Sequence, residues 1–377
     1  MPPEEGDMSI CFVTTYPLDR HELGGSGWVD RRLVSLLHKT FGDVEVVSVT
    51  GPVGSFTELG VTTRSAGSVP LEIRGDKAKL LRVAASMLVS PQPYLARKFT
   101  AFPGWGKAAA LLRQRAADRK VITSGWPGLV LAEAAGTEVH VHVVHNVEST
   151  IAVEHSPGPL KLLGETWRLP RAEHRLLGIP GQVFALSHSD AATLRGWGIQ
   201  AQPLPMPLQP KQNGSSSRAM GFIGKASWPP NERALEALLG PVHQELVALG
   251  VTPEYVLAGS GTERYAGRHG VTALGRVSEE SEFYHRVGLV VVPRFRASTG
   301  ISVKMLEAAE YGVASVVPPQ LADAVDPNGP WLVAADPAST AQVVRLWLDG
   351  KIEKDVSAWA NARDGERTAA ALRPALG

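Results

Sequence analysis

The segment Val290–Gly312, VVVPRFRASTGISVKMLEAAEYG, shows the strand-loop-helix pattern from which the fold class can be inferred. An apolar run ends at Pro293, a polar and basic loop follows, and a helix is expected to open at Gly300. A buried strand, a short loop and a helix form half of a β-α-β unit, in which the strands are parallel. The amides that open such a helix carry the positive end of its dipole, which favours an anion such as a phosphate. The segment therefore predicts a parallel sheet with an anion site at its edge.

The same alternation of apolar strands and helices extends over most of the chain. The predicted strands are Ser9–Thr15, Val44–Val49, Val121–Thr123, Glu138–Val144, Val183–Leu186, Met220–Ile223, Glu254–Ala258, Val271–Leu274, Leu289–Val292 and Ala314–Val317. Strands separated by helices are typical of parallel sheets covered on both faces. The fold class is therefore α/β, with doubly wound sheets.

The 377 residues are enough for two domains, since one domain has about 150 residues. The proline-rich stretch Pro203–Ser217, PLPMPLQPKQNGSSS, favours an exposed linker between them. We expect a disordered tail over residues 1–8, an N-terminal Rossmann-like domain over 9–204 and a linker over 205–217. A C-terminal Rossmann-like domain is expected over 218–350, and a helix over 351–377 that returns toward the N-terminal domain.

Composition excludes several classes of protein. Hydrophobic residues make up 44% and charged residues 20% of the chain, which is typical of a globular core. The net charge of +1 disfavours sequence-independent nucleic-acid binding. The single cysteine, Cys11, excludes a disulfide framework and a cysteine-rich metal site. Without a long apolar run or a signal-peptide core, a soluble cytoplasmic protein is expected.

A glycine loop follows the first predicted strand. Gly24-Gly25-Ser26-Gly27 lies before a helix whose residues Trp28, Leu33, Leu36 and Leu37 are expected to face inward. Small residues at a helix start let backbone amides approach a phosphate or a sugar. The spacing does not match the dinucleotide fingerprint G-x-G-x-x-G. A flexible turn is the alternative interpretation.

Histidines cluster around the predicted strand Glu138–Val144. His145-Asn146 comes directly after it, and ligands of open α/β sheets bind beyond the carboxyl ends of strands. His145 is therefore expected in the active cleft. His140 and His142 are interpreted as core or half-buried histidines, because no further metal ligands accompany them in the sequence.

Lys304 and Glu307 are three residues apart, on one face of the predicted helix. An ordinary surface ion pair is one interpretation. The neighbours Met305, Leu306 and Ala308 favour a mostly buried helix instead, in which a carboxylate needs partners such as ligand hydroxyls.

Together these segments resemble the motifs of the retaining glycosyltransferases of family 4, glycosyl transferases group 1, which have the GT-B fold. In that family, the helix after a C-terminal strand carries a Lys-x-x-Glu element, here Lys304 to Glu307. Four further similar motifs are His145-Asn146-Val147-Glu148, FALSHSDAATL at Phe184–Leu194 with Ser187 and Asp190, MGFIGKASWPPN at Met220–Asn231, and Gly275-Arg276-Val277. The motifs keep the family's order over about residues 9–348.

The resemblance implies two Rossmann-like domains facing each other across a cleft, with the donor bound mainly by the C-terminal one and the acceptor by the N-terminal one. It implies a nucleotide-diphosphate sugar as co-substrate, with UDP favoured and GDP or dTDP as alternatives. Transfer would retain the anomeric configuration and need no metal or other cofactor. The implied catalytic residues are His145, Lys225 and Lys304. The implied donor-binding residues are Gly24, Gly25, Gly275, Arg276, Val277, Ser298, Thr299, Gly300, Ile301, Ser302 and Glu307.

The resemblance also implies individual roles. Glu307 would accept hydrogen bonds from the ribose hydroxyls, and His145 would meet the donor sugar or its reacting centre. The base would lie near Gly275–Val277.

Two departures from the family's pattern concern the donor site. Thr299 stands where many members have a glutamate near the donor sugar. Many members also place an Arg and a Lys five residues apart after the first C-terminal strand, where this chain has Lys225 and Pro230. The diphosphate clamp is therefore expected to draw on Lys304 or on an arginine of the loop 294–296.

The acceptor is open from the sequence. Arg74–Lys98, RGDKAKLLRVAASMLVSPQPYLARK, is basic with an apolar stripe. This pattern fits either a peripheral contact with the inner face of an anionic membrane or an ordinary amphipathic helix. A natural product, a glycan and a lipid-linked acceptor all remain open, as do roles in antibiotic glycosylation and in cell-envelope glycan assembly.

Two alternatives to a transferase are kept. A nucleotide-sugar epimerase on the same fold would bind the same donor but needs acid and base groups at the sugar, which Thr299 does not supply. A degenerate partner subunit without activity is the other alternative, and the missing glutamate is its only support.

Overall fold

The computed structural model describes residues 8–18, 24–67, 69–70, 73, 75–155, 158–211, 217–296 and 299–377. Most of the predicted tail, part of the predicted linker and Ser298 lie outside these residues. The chain divides into two compact units. The first comprises Met1–Pro207 and Gly365–Gly377, and the second comprises Leu208–Asp364.

The first unit is built on a sheet of eight strands in its described part. They are β1 (Ile10–Thr14), β2 (Val44–Ser48), β3 (Gly54–Glu58), β4 (Val61–Ser65), β5 (Lys120–Ser124), β6 (Val141–Val144), β7 (Gln182–Ala185) and β8 (Ala201–Pro203). The order is β3-β4-β2-β1-β5-β6-β7-β8, and all neighbours are parallel except the β3–β4 hairpin. All five residues of β1 and of β2 are buried, as expected of parallel strands covered on both faces.

Helices cover this sheet. They are α1 (Gly24–Phe41), α2 (Lys77–Leu88), α3 (Tyr94–Thr100), α4 (Gly104–Arg115), α5 (Gly125–Ala135), α6 (Glu148–His155), α7 (Gly158–Leu162), α8 (Glu165–Leu177) and α9 (His188–Gly196). The inward face predicted for α1 is confirmed, because Trp28, Leu33, Leu36 and Leu37 are all buried.

The second unit contains a parallel sheet of six strands in its described part. They are β9 (Met220–Ile223), β10 (Tyr255–Ala258), β11 (Val271–Gly275), β12 (Leu289–Val291), β13 (Ala314–Val317) and β14 (Leu332–Val333), in the order β11-β10-β9-β12-β13-β14. The helices are α10 (Pro229–Ala237), α11 (His243–Ala248), α12 (Ser281–Tyr284), α13 (Val303–Glu310), α14 (Pro319–Val325), α15 (Pro337–Leu348) and α16 (Val356–Asn361). A π-helical turn (Leu238–Val242) and a 3₁₀ helix (Thr262–Tyr265) complete the unit.

The α/β class and the two doubly wound sheets are confirmed. All ten predicted strands are present, with ends that differ by at most three residues. The hairpin β3–β4 and the short edge strands β8 and β14 were not predicted.

The proline-rich segment Pro203–Ser217 was predicted to be an exposed linker. The side chains of Leu204, Met206 and Leu208 are instead buried. The last helix, α17 (Glu366–Leu376), packs on the first unit. Its Thr368 hydroxyl donates a hydrogen bond of 2.6 Å to the carbonyl oxygen of Pro205. Apolar side chains thus anchor the segment in spite of its prolines.

Both sheets have one point at which the strand order reverses. In the first unit it lies between β1 and β5, and in the second between β9 and β12. The loops that follow neighbouring strands diverge there and leave a crevice, which is the usual ligand site of an open α/β sheet.

Candidate functional site

The first crevice is lined by a helix start and two strand ends. Gly24 and Gly25 are the first two residues of α1, and both are exposed. The first amides of a helix have no partner within the helix, so they are available to a ligand. The structure thus places the predicted glycines at a helix start.

His145, which directly follows β6, is held by a chain of hydrogen bonds. Its Nε2 lies 2.7 Å from Oγ of Ser124, the last residue of β5. Ser124 Oγ donates to Oδ1 of Asp30 at 2.5 Å, and the Thr14 hydroxyl donates to the other oxygen of that carboxylate. Asp30 is 2% exposed. The crevice therefore contains a buried carboxylate that reaches the predicted catalytic histidine through one hydroxyl.

Asp30 and Ser124 were missed in the sequence. Asp30 stands on the apolar face of α1, between Trp28 and Leu33, and a charge on a buried face needs partners. A charged residue on the apolar face of a helix was therefore the sequence signal that could have identified Asp30.

His140 and His142 are satisfied within the first unit, as predicted. His142 Nδ1 lies 2.8 Å from the Thr123 hydroxyl, and burial lowers the pKa of His142 to about 3. His140 Nδ1 accepts a hydrogen bond from the backbone amide of Val121.

Glu148 lies near His145 and is capped from another helix. Its backbone amide and that of Ser149 donate to the carboxylate of Glu173, at 2.6 and 3.0 Å. Burial, and then the charge of Glu173, raise the pKa of the Glu148 carboxyl to about 7. Glu173 thus fixes the start of α6 directly after the His-Asn motif.

Two cations meet in the second crevice. Arg294 follows β12, and Lys304 lies in the first turn of α13. The Arg294 guanidinium donates to Oδ1 of Asn231 at 2.9 Å, and Lys304 Nζ donates to the same oxygen at 3.1 Å. Asn231 Nδ2 donates to the carbonyl oxygen of Lys225 at 3.0 Å, which fixes the amide. Asn231 was not predicted as a site residue.

Both cations are held at an electrostatic cost. Burial, and then the neighbouring Arg294, lower the pKa of Lys304 to about 7. Burial lowers the pKa of Arg294 to about 10. Among the described residues, no carboxylate forms an ion pair with either side chain. Arg294 Nε and Ser302 Oγ are buried without a hydrogen-bond partner, so the site has unused polar atoms.

Glycine is required beside this pair. Gly224 has φ +149°, and a Cβ there would lie 2.6 Å from Asn231 Nδ2 and 3.0 Å from Lys304 Cε. The absent side chain lets Lys304 approach the loop after β9. The Arg294 guanidinium also lies 4.8 Å from the ring centroid of half-exposed Trp228.

In the described part of the second unit, Lys304 and Glu307 do not form an ion pair with each other, so their interpretation as a surface ion pair is wrong. Glu307 Oε2 instead accepts a hydrogen bond of 3.2 Å from the Tyr284 hydroxyl. Burial, and then the charge of Glu280, raise the pKa of Glu307 to about 7. Tyr284 is fully buried and stacks on Tyr311, with ring centroids 4.6 Å apart. Tyr284 was not predicted.

The helix start differs from the prediction. Gly300 takes a left-handed conformation with φ +74°, and α13 begins at Val303 with Ser302 as its N-cap. The amides of Gly300 and Ile301 therefore belong to the loop before the helix. Thr299 lies in the same loop, and Ser298 is outside the described residues.

The remaining predicted residues lie at two other strand ends. Gly275 ends β11 with φ +65°, and a Cβ there would lie 2.5 Å from Glu263 Oε1. Arg276 is exposed and Val277 packs against the core of the unit. Lys225 is exposed after β9 and joins the cation site only through its carbonyl oxygen. Among the described residues, no hydrogen bond links the Lys225 side chain to the site around Lys304.

The described residues contain no group of three or more histidine, cysteine, aspartate or glutamate side chains placed to hold a metal ion. None of their helices is long and apolar enough to cross a bilayer.

Residues 217–349 match the family described as glycosyl transferases group 1. Sucrose-phosphate synthase from Thermosynechococcus elongatus is similar in structure, with a TM-score of 0.66 and 14% identity over 98% of this chain and 95% of that chain. HepE from Anabaena, solved in complex with UDP-glucose, gives a TM-score of 0.64 and 12% identity over 97% of this chain and 100% of that chain. An α,α-trehalose 6-phosphate synthase from Burkholderia multivorans gives a TM-score of 0.55 and 12% identity over 98% of this chain and 95% of that chain. No curated protein matches the chain in sequence. The likeness to these structures shows the GT-B fold, as predicted.

Proposed function

We propose that this chain, which has the GT-B fold and whose residues 217–349 match the family described as glycosyl transferases group 1, is a glycosyltransferase that transfers a sugar from a nucleotide-diphosphate sugar to an acceptor hydroxyl. We propose further that transfer retains the anomeric configuration and needs no metal ion.

The pair of cations at Asn231 carries the proposal. Arg294 and Lys304 are held together at a strand-order reversal, without an acidic ion-pair partner among the described residues, and Arg294 Nε has no hydrogen-bond partner there. Such a site favours an anion with several oxygens, and a diphosphate satisfies both cations at once. Fixed cations stabilise charge on a leaving group where it develops. This arrangement supports departure of the diphosphate without a divalent ion.

Glu307 supports a nucleoside as the rest of the ligand. It lies one helical turn after Lys304, and its carboxylate is oriented by the Tyr284 hydroxyl. A carboxylate only accepts hydrogen bonds, and two adjacent ribose hydroxyls are suitable donors. We assign the diphosphate to Lys304 and Arg294 and the ribose to Glu307. The base then belongs near Gly275–Val277.

The donor base is proposed as uracil. HepE, which has the same fold, was solved in complex with UDP-glucose. GDP- and dTDP-sugars are the alternatives that a donor panel distinguishes.

His145 is proposed to meet the donor sugar, and the amides of Gly24 and Gly25 to contribute to the same crevice. The acceptor is proposed as a hydroxyl of a natural product, a glycan or a lipid-linked sugar. Retention rests on the resemblance to the family, and the anomeric proton coupling in the NMR spectrum of the product tests it.

Nucleotide release from UDP-, GDP-, dTDP- and ADP-sugars, measured in EDTA without acceptor, tests the proposal. We expect release from one donor, faster when its acceptor is added. Release that requires a divalent ion would contradict metal independence. Lys304→Gln is the matched variant, because it keeps a hydrogen-bonding side chain near Asn231 and removes the charge.

The same assay separates the alternatives. An epimerase converts the sugar of the donor without releasing the nucleotide and without an acceptor. An inactive partner subunit gives neither reaction, and thermal shift with UDP then shows whether the nucleotide site binds at all. The retained cations and Glu307 favour the transferase over the inactive subunit.

A further inference from the structure

We propose that Asp30 and Ser124 are positioning residues that fix the ring tautomer of His145. The expected effect on turnover rests on the proposed function, whereas the tautomer itself does not. Neither residue belongs to a motif by which the sequence was interpreted.

The hydrogen-bond directions follow from the chemistry of the three groups. A carboxylate only accepts hydrogen bonds, and a serine hydroxyl has one proton to donate. Asp30 Oδ1 lies 2.5 Å from Ser124 Oγ, so the hydroxyl proton is committed to the carboxylate. Ser124 Oγ can then only accept from His145 Nε2, which lies 2.7 Å away. The ring proton of neutral His145 is therefore on Nε2.

The other ring nitrogen follows from this assignment. Nδ1 of His145 keeps its lone pair, and no described residue forms a hydrogen bond with it. It is thus an acceptor for a ligand hydroxyl. With the proton on Nδ1 instead, the same edge of the ring would be a donor, and a sugar hydroxyl would have to bind in a different orientation.

The carboxylate is fixed on both sides. Thr14 donates to Oδ2 of Asp30, and Nε2 of His145 lies 3.6 Å from Oδ1. The side chains of His145 and Asp30 are only 9% and 3% exposed, so water does not readily substitute for these bonds. A buried carboxylate in an otherwise apolar helix face is destabilising unless it is fully hydrogen-bonded.

A neighbouring pair provides an internal comparison. Thr123 and His142 are cross-strand neighbours, one residue before the end of β5 and two before the end of β6, and their hydroxyl and ring nitrogen are 2.8 Å apart. No described carboxylate forms a hydrogen bond with Thr123, and His142 is fully inside the sheet. Asp30 thus accompanies the Ser124–His145 pair at the crevice, whereas the Thr123–His142 pair in the core has no such carboxylate among the described residues.

The test is the ¹⁵N NMR spectrum of the His145 ring in the full chain, at a pH where the ring is neutral. Wild type should show the proton on Nε2. Asp30→Leu frees the serine proton to donate to Nε2, so this variant should populate the Nδ1-protonated form. Ser124→Ala only removes the acceptor, so there the Nδ1-protonated form should rise no further than its minor share in a free imidazole. Asp30→Asn retains an acceptor for the serine proton and should restore the wild-type spectrum. Thr123→Val, which affects only the His142 pair, is the matched control and should leave the His145 signals unchanged.

Turnover gives the second readout. On a donor that wild type uses, Ser124→Ala should lower kcat by about tenfold or more while KM for the donor changes by less than about threefold. Protonation of Nδ1 in wild type, or an unchanged tautomer in Asp30→Leu, would overturn the inference. If wild type uses no donor, the proposed function fails, but the NMR result still decides the role of Asp30 and Ser124.

Discussion

The guanidinium of Arg294 and the ammonium of Lys304 share one acceptor, the side-chain oxygen of Asn231, at 2.9 and 3.1 Å. Two like charges around one neutral amide are destabilising in the absence of an anion, because burial and mutual repulsion both disfavour the charged forms. We therefore expect the two cations to lower the stability of the ligand-free protein and to raise its affinity for an anionic ligand.

Lys304→Met tests both effects. The variant removes one half-buried charge that has no acidic partner among the described residues, so the ligand-free protein should melt at a higher temperature than wild type. Its UDP affinity should fall by about 1.5–3 kcal/mol, the contribution of a charged hydrogen bond. Thermal melts and calorimetric titration with UDP measure the two effects.

Lys354→Met is the control for this variant, because Lys354 is an exposed lysine of the same unit that lies outside the site. It should change neither the melting temperature nor the affinity appreciably. Unchanged UDP affinity in a folded Lys304→Met protein would remove Lys304 from the diphosphate site.

The pH dependence of UDP binding should follow Lys304. Its pKa is lowered to about 7, so the ammonium loses its proton above that pH in the ligand-free protein. UDP affinity should therefore decrease as the pH rises through about 7. Lys304→Arg stays charged and should flatten this dependence, which titrations from about pH 6 to about pH 9 would show. A wild-type affinity that is constant over this range would contradict the assignment.

Stability of the ligand-free protein should depend on pH in the opposite sense. Between about pH 7 and about pH 10.5, the ordinary pKa of a lysine, the unfolded chain holds a proton on Lys304 that the folded chain has released. The unfolding free energy therefore rises with pH across this window, and the rise should be smaller in Lys304→Met. Denaturant titrations at several pH values measure the difference between the two proteins.

Recognition of the ribose should depend on Glu307 and, through it, on Tyr284. Wild type should bind UDP more tightly than 2′-deoxy-UDP, and Glu307→Gln should reduce that preference. Tyr284→Phe removes the 3.2 Å hydrogen bond to Glu307 and should lower UDP affinity by about 0.5–1.5 kcal/mol. The exposed Glu236→Gln variant is the control. Equal binding of the two nucleotides by wild type would show that Glu307 does not contact the 2′-hydroxyl.

Local sequence patterns were sufficient for the fold. Buried parallel strands are continuous apolar runs, so β1, β9 and β13 could be located from the sequence to within one residue at either end. The β3–β4 hairpin was missed because β3 is mostly exposed and has no apolar alternation. The buried proline-rich segment was missed because prolines indicate irregular backbone but do not show whether its leucines are covered.

The site could be predicted only where one motif contains the chemistry. Lys304 and Glu307 lie in one helix, so one motif of the sequence was enough to predict both as site residues. Asn231 joins Lys304 across 73 positions, and Asp30 joins Ser124 across 94. Such partners are brought together by sheet order, which sequence spacing does not contain. The less favoured interpretation of Lys304 and Glu307 as a surface ion pair is wrong for the same reason, since each side chain forms its hydrogen bond with a residue of another element.

A surface of the first unit is expected to bind anionic membranes. We define the α2–α8 surface by Leu81, Leu88, Val89, Leu162 and Trp167, which are 51–90% exposed. Arg168 joins its two parts, donating hydrogen bonds of 2.9 Å to the carbonyl oxygens of Met87 and Ser90. Exposed apolar side chains next to basic ones are typical of an interfacial helix.

The charges beside this surface are complementary to anionic lipids. Lys77, Arg82, Lys161 and Arg171 are exposed, and the guanidinium of Arg171 lies 5.3 Å from the ring centroid of Trp167. Each such charge contributes about 1 kcal/mol near an anionic surface, and added salt screens that contribution. The surface is therefore proposed to use both apolar burial and charge.

Vesicle sedimentation tests this proposal with phosphatidylcholine alone and with phosphatidylglycerol added. Wild type should bind only the anionic vesicles, and less at high salt. The double variant Leu88→Ser/Val89→Ser should lose most of this binding, since each side chain buried in the interface contributes about 1 kcal/mol or more. Val247→Ser, which changes a 52% exposed valine of α11 in the second unit, should bind as wild type does. Equal binding by all three proteins would assign the interaction to another surface, and no binding by wild type would leave α2 an ordinary amphipathic helix.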